Sequence, residues 1–318
     1  MIIVYLAIIY LIFVLVFGIV AYYLMFFPSC KSSEFTRAYG LEKAEFSQEF
    51  LEKPWIEFEI PSPQGYSISG NYLASMTGAP SAPTALFIHG ITWTRYGMYK
   101  YIQPFFKHGW NVASIDLAGH GKTSAPRRYY PSFGYYEKFD VKAAVEYLKS
   151  IFPESAIFGV IGESLGAGSV LQYSAIANGA IDFVIADCPF ASARKELFYQ
   201  IRKLGYPPFF AQHVSWIVAI LVRMTKGFSL DDASPEKAVL ETATPILLVH
   251  GLEDRYVPTW MSLHLYNIRK KAGFDTTSLL LVPGARHAKS FMTAPELWGK
   301  TAFSFIAEAK PASKPETV

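Results

Sequence analysis

The 318 residues are 51% hydrophobic and 16% aromatic, enough apolar material for one large core and an appendage. A net charge of +3, from 29 basic and 26 acidic side chains with no long basic run, excludes an electrostatic nucleic-acid surface. Two cysteines in unrelated contexts, Cys30 and Cys188, exclude a disulfide framework and a C-x-x-C redox pair.

In chain order, Ile2 to Phe27 carries no charged side chain and is long enough to cross a hydrocarbon core of roughly 30 Å as a helix. A cleaved signal peptide fits less well: there is no basic n-region, the apolar run is too long, and Phe26-Phe27-Pro28 lacks the small residues of a cleavage site. The stretch reads as a membrane anchor, with Pro28 ending the helix. Lys31, Arg37 and Lys43 follow the span and nothing basic precedes it, so the positive-inside rule puts the remainder on the cytoplasmic face. Lys31 to Lys53 reads as a partly helical linker near the membrane surface.

From Trp55 the pattern becomes that of strands. W-I-E-F-E-I alternates, Pro61 to Gly65 turns, and Tyr66 to Leu73 alternates again, which predicts a hairpin. Further strands are expected at Thr84 to Gly90, stopping at His89 and Gly90, and at Trp110 to Asp116, Ile157 to Ile161, Asp182 to Asp187, Pro245 to His250 and Ser278 to Val282. Helical spacing falls between them at Arg95 to His108, Phe133 to Phe152, Leu165 to Ala177, Pro258 to Lys271 and Pro295 to Glu308. Such alternation implies parallel βαβ units, with chemistry at the strands' carboxyl ends.

Ala191 to Leu230 is too long for one crossover helix and holds two apolar segments, near Leu197 to Leu204 and Phe209 to Met224. It reads as a helical cap over an apolar pocket. A membrane-surface contact and a second span are the alternatives, the latter weakened by Gln212, His213 and Ser215. Lys310 to Val318 reads as a disordered tail.

The chemistry centres on Gly162-Glu163-Ser164-Leu165-Gly166, a G-x-S-x-G turn after an apolar run and before a helix. It exposes a hydroxyl and leaves the next amide free, with glycines where side chains would collide or backbone angles are strained. A serine needs a base and an acid to orient that base. His287, just past the last strand, and Asp254, after the strand before it, complete the chain order Ser…Asp…His that belongs with this turn. Asp187 and Glu253 are alternative acids, and Asp254 also suits a helix cap near Pro258. The oxyanion needs two amide donors: Leu165 N–H is one, and Ile91 N–H in His89-Gly90-Ile91-Thr92 the other. His89 orders that loop and His250 is structural. Gly121-Lys122-Thr123 has Asp116 where a phosphate loop needs glycine, and neither H-E-x-x-H nor clustered Cys/His spacing occurs, so neither metal nor nucleotide is expected.

His89-Gly90, Asp116-Leu-Ala-Gly119-His120-Gly121, Gly162-Glu-Ser-Leu-Gly166, Gly251-Leu-Glu-Asp254 and Gly284-Ala-Arg-His287 together resemble, in order, the motifs of the α/β-hydrolase superfamily, over roughly Trp55 to Ala309. Phe133-Gly134 with Glu137 and Asp140, and Ala186-Asp-Cys-Pro-Phe190, resemble the membrane-anchored bacterial hydrolases related to the Bem46 group. The resemblance implies an eight-stranded, mostly parallel α/β sheet with helices on both faces and a cap after strand six. It also implies Ser164, Asp254 and His287 as a catalytic triad. The resulting division is an anchor (1–28), a juxtamembrane linker (29–54), a hydrolase domain (55–309, cap about 191–230) and the tail (310–318). The expected activity is cleavage of carboxylic esters through an acyl-enzyme on Ser164, with a small acyl ester as substrate and the bilayer as the anchor's partner. A thioesterase, an amidase or peptidase with the same triad, or a non-catalytic interaction protein on this fold are the alternatives.

Overall fold

A computed structural model describes residues 1–309; the tail expected at 310–318 lies outside the described residues. Eight strands form one sheet: β1 (Ile56–Pro61), β2 (Ser67–Leu73), β3 (Thr84–Ile88), β4 (Asn111–Ile115), β5 (Phe158–Glu163), β6 (Phe183–Asp187), β7 (Ile246–Gly251) and β8 (Thr277–Val282). Their order is β1-β2-β4-β3-β5-β6-β7-β8. The β1–β2 and β2–β4 pairs are antiparallel and all later pairs parallel. The helices are α1 (Ile2–Phe26), α2 (Ser33–Glu42), α3 (Gln48–Leu51), α4 (Tyr99–Lys107), α5 (Glu137–Ile151), α6 (Leu165–Ser174), α7 (Ala193–Lys203), α8 (Pro208–Lys226), α9 (Pro235–Ala238), α10 (Trp260–Lys271), α11 (Ser290–Thr293) and α12 (Pro295–Glu308).

Central strands β3 to β7 are buried throughout, so their sequences run apolar without alternation, as a sheet covered on both faces requires. The two-residue period survives in what each side chain meets. Phe87, Ile161, Ile185 and Val249 share one core with α4 and α12, whereas Leu86, Ile88, Val160, Val184 and Leu248 share the other with α5, α6 and α10.

The segment expected as a linker is folded onto the domain. Phe46 and Phe50 are buried in the α4–α12 core, Thr36 Oγ1 lies 2.5 Å from Thr94 Oγ1, and Lys289 Nζ bonds Glu45 at 2.8 Å. The N-terminal helix α1, expected as an anchor, is docked too. At its end Phe26 is fully buried, its ring 5.3 Å from that of Phe133, which in turn meets Phe190 at 5.6 Å.

The cap region is a helical pair, α7 and α8, and α8 runs alongside α1. Tyr10 Oη lies 2.7 Å from His213 Nδ1 and Tyr22 Oη 2.5 Å from Thr225 Oγ1, so both chains advance in the same direction. Between these bonds the helices close on Gly18, where a Cβ would come 2.5 Å from Ile217 Cγ2, the role small residues play at tight helix crossings. Gln212, His213 and Ser215 therefore interrupt α8 for a reason that hydropathy does not reveal: His213 is a partner of α1, and Ser215 folds back on Ala211 O at 2.8 Å.

Candidate active site

Strand β5 ends at Glu163 and α6 begins at Leu165, leaving Ser164 alone at the bend with φ 54° and ψ −112°. A non-glycine residue there is strained, and the surroundings hold it: Ser164 N–H donates to Asp187 O at 2.9 Å, and Ser164 O accepts from Gly168 N–H at 3.0 Å. The strain thus sits on the serine and not on its flanking glycines, neither of which has a positive φ. What those glycines supply is room. A Cβ on Gly162 would lie 2.4 Å from the Gly166 carbonyl, and one on Gly166 would lie 2.1 Å from Ile88 O.

Neither obstacle is a flexible side chain, so Gly166→Ala is expected to cost about 3 kcal/mol or more, the upper range for overpacking. Gly299→Ala, in open space on α12, is expected to gain about 0.5–1 kcal/mol. Thermal melts of the two variants check the contrast; equal effects would place the constraint elsewhere.

His287 Nε2 lies 2.9 Å from Ser164 Oγ, and His287 Nδ1 lies 2.6 Å from Asp254 Oδ2. The structure thus brings together the three side chains singled out by chain order. Asp254 is buried within the β7–α10 loop. Its Oδ1 accepts from the Tyr256 and Val257 amides at 2.8 and 3.0 Å, while His250 Nε2 stands 3.2 Å from Oδ2. Burial pushes its carboxyl pKa up, but the hydrogen bonds from His250 and His287 outweigh that and hold it at about 2. It is a turn anchor and a histidine partner at once; the cap of α10 is Thr259.

Asp187 has other partners. Its carboxylate accepts from Ser290 Oγ at 2.8 Å, Tyr101 Oη at 3.0 Å and Trp298 Nε1 at 3.2 Å, and burial raises its pKa to about 6. The single Tyr101 Oη proton is shared between Asp187 and Glu163, the latter at 2.8 Å, and the Glu163 carboxylate meets Lys100 Nζ at 2.5 Å, with both side chains of that pair 4% exposed. Lys100 Nζ donates as well to Ala288 O at 3.2 Å, so this buried network joins the residue before Ser164 to the residue after His287. Glu163 occupies a variable letter of the pentapeptide and Lys100 lies far away in sequence, on α4, so no motif flagged either. Cys188 Sγ lies within 4.8 Å of Asp254 and His287 atoms, and burial pushes its thiol pKa well up, making it a neutral neighbour of the triad.

Ile91 and Leu165 line the same cavity as Ser164, and neither amide donates to any partner among the described residues. A Cβ on Gly90 would touch Ser164 Cβ at 3.4 Å, so the 89–92 loop is seated directly against the serine. Two buried histidines shape it. His89 Nε2 accepts from Leu117 N–H at 3.0 Å, which leaves Nδ1 to donate to Gly90 O at 2.7 Å. His120 Nε2 accepts from Thr92 N–H at 3.1 Å and Nδ1 donates to Ala118 O at 2.9 Å. The second histidine belongs to the Asp116-Leu-Ala-Gly119-His120-Gly121 motif, from which the sequence alone assigns it no role. Lys31 N–H donates to Thr92 O at 2.8 Å, tying the segment after α1 to the same loop.

Burial lowers the His89 pKa to about 4 and that of His120 to about 3, against an ordinary value of about 6.5. Below about pH 6.5 the unfolded chain therefore binds protons that the native chain refuses, so the stability these residues contribute is present above that pH and lost as pH falls toward 3. Melting temperature is expected to drop over this window, and His120→Gln to flatten the drop. An identical slope in the variant would dissociate the effect from this ring.

The cavity at Ser164 has a volume of about 520 Å³. Helix α7 covers it with Leu197 and Ile201, joined by Leu204 just past its end, and Glu196 adds the polar exception. This carboxyl is 6% exposed; one oxygen accepts from Gln200 Nε2 at 2.7 Å and the other has no partner among the described residues. Burial raises its pKa to about 7. The outer face of α8, with Phe209, Trp216, Ile220 and Met224, is exposed and lies outside this cavity.

Residues 83–214 match the family model described as the alpha/beta hydrolase fold. The uncharacterized protein YqkD of Bacillus subtilis is 31% identical over 254 residues, covering 78% of each chain. Among solved structures, the Pyrococcus furiosus esterase Pf2001 superposes with a TM-score of 0.66 at 22% identity, over 83% of this chain and 94% of that one. Est1E of Butyrivibrio proteoclasticus, solved with ferulic acid, gives 0.59 at 19% identity over 79% and 98%. At such identities the two structures speak for the fold alone.

Proposed function

Because the chain belongs to the α/β-hydrolase superfamily, we propose that it is a membrane-anchored serine hydrolase that cleaves carboxylic esters through an acyl-enzyme on Ser164. The observation that carries this reading is the unbroken chain of hydrogen bonds from Ser164 Oγ through His287 to Asp254, at 2.9 and 2.6 Å, at the floor of an apolar cavity. His287 Nε2 takes the Oγ proton as Oγ bonds the ester carbonyl carbon, and the Ile91 and Leu165 amides receive the oxyanion. Collapse breaks the carbon–oxygen bond to the alcohol, which leaves with the proton from His287. Water, deprotonated by the same nitrogen, then releases the carboxylic acid. Helix α1, 25 residues of high mean hydropathy with little of its surface buried, supports a single-pass anchor. The basic residues after it favour the cytoplasmic face for the domain.

The largely apolar cavity supports an ester with an apolar acyl group over a charged peptide. The test is a series of p-nitrophenyl esters of rising acyl length, run with and without lipid vesicles, beside fluorophosphonate labelling. Hydrolysis with label on Ser164 is expected. A native protein that takes no label, or one whose label stays in place after Ser164→Ala, would remove the proposal.

A further inference from the structure

We propose that the anchor helix is itself a wall of the acyl site, so that the substrate is a bilayer-resident lipid ester whose acyl chain enters sideways between α1 and α7. The inference rests on the serine-hydrolase and anchor readings above and adds where the chain lies and from which phase it comes. The cavity that reaches Ser164 is lined along one side by Phe17, Val20, Ala21, Leu24, Met25 and Pro28. This wall is not closed. Val20 is 50% exposed and Leu24 76%, although both line the cavity, and across from them Leu204 at the end of α7 is 69% exposed. A gap with apolar residues on both lips therefore opens beside the surface that α1 presents to lipid.

Its depth suits that phase. The wall runs from Phe17 to Pro28, ~16 Å at 1.5 Å per residue, about half of a hydrocarbon core of roughly 30 Å. Its upper end lies beside Ser164 and its lower end within one leaflet, so an ester at the headgroup boundary meets the nucleophile while its chain stays at acyl depth. The turn between α7 and α8 is built for the same surroundings. The Tyr206 ring packs on Phe17 at 4.9 Å, and the two cations nearest the turn are directed to backbone carbonyls, Arg202 to Tyr206 O and Lys203 to Arg255 O at 2.6 Å. The wall is also held in register with the chemistry, since Phe26 is buried against Phe133 and Lys31 N–H bonds Thr92 O in the loop at Ser164.

The experiment uses the full chain in phosphatidylcholine vesicles and a long-chain alkyl fluorophosphonate carrying a diazirine near the chain end. After phosphonylation and illumination the protein is cut with trypsin. No Lys or Arg precedes Lys31, so α1 is released as one peptide, Met1–Lys31. A cross-link from the Ser164 peptide to Met1–Lys31 is expected. Cross-links confined to cap or sheet peptides, with Ser164 phosphonylated, overturn this inference and leave the hydrolase reading standing; no phosphonylation of Ser164 overturns both.

A second measurement reads the wall through chain length. Ala21→Trp fills it and is expected to lower the ratio of dodecanoyl to butyryl ester hydrolysis at least tenfold. Leu15→Trp, on the same helix but outside the cavity, leaves the ratio as it was. An unchanged ratio in Ala21→Trp counts against the wall, and hydrolysis of soluble esters only, indifferent to vesicles, counts against the bilayer as source.

Discussion

Ser164→Ala is expected to reduce ester turnover by about 10⁴-fold or more while the protein folds and melts as before. Such a loss is what removing the nucleophile of a coupled triad costs elsewhere, where the oxyanion donors and binding sustain only residual rate. The fold should tolerate the change because Ser164 contributes its backbone, not its hydroxyl, to the architecture: N–H to Asp187 O and O to Gly168 N–H both remain. The φ of 54° is already borne by a residue with a Cβ, so alanine adds no new strain. Near-native turnover in this variant, with melting temperature unchanged, would mean that the attacking group lies elsewhere. A parallel loss of melting temperature would instead reveal a structural role for Oγ that its geometry does not suggest.

Much of the sheet was legible because its signals are local. A largely apolar run of five or six residues marks each central strand, and Ser164, Asp254 and His287 follow β5, β7 and β8 at the edge where parallel strands end. Chain order alone thus puts them near one another once the topology is granted. What escaped the sequence is tertiary. An apolar helix facing lipid and one facing an apolar cap have the same composition, so nothing in Ile2 to Phe27 distinguishes Leu15 from Ala21; only docking against α7 and α8 does. Lys31 to Lys53 reads as a linker because most of its buried positions, Thr36, Gly40 and Glu45, are not hydrophobic, and Phe46 and Phe50 alone give no periodic pattern. The Lys100–Glu163 pair joins residues far apart in sequence, and a buried ion pair leaves no trace in a hydropathy pattern.

Asp254→Asn is expected to cost about 10⁴-fold in turnover, with little loss of stability, for a reason its geometry makes explicit. Asparagine keeps the Oδ1 that accepts from the Tyr256 and Val257 amides, so the β7–α10 turn survives. At the other position an NH₂ replaces the carboxylate oxygen 2.6 Å from His287 Nδ1. Two donors cannot share that bond, so the ring proton moves to Nε2, the atom 2.9 Å from Ser164 Oγ, and the imidazole can no longer accept the serine's proton. The carboxyl's pKa of about 2 makes the native carboxylate constant above about pH 4, so neither its charge nor its hydrogen bond explains rate changes near neutrality in the wild type. Asp254→Ala removes the turn acceptor as well and is expected to add about 1–3 kcal/mol of destabilisation to the same kinetic loss. Asp187→Asn provides the opposite signature. It touches Tyr101, Ser290 and Trp298 but no histidine, so it is expected to lower melting temperature and to slow fluorophosphonate labelling far less than Asp254→Asn does. If Asp187→Asn silenced labelling while Asp254→Asn left it intact, the acid that orients His287 would have to be reassigned.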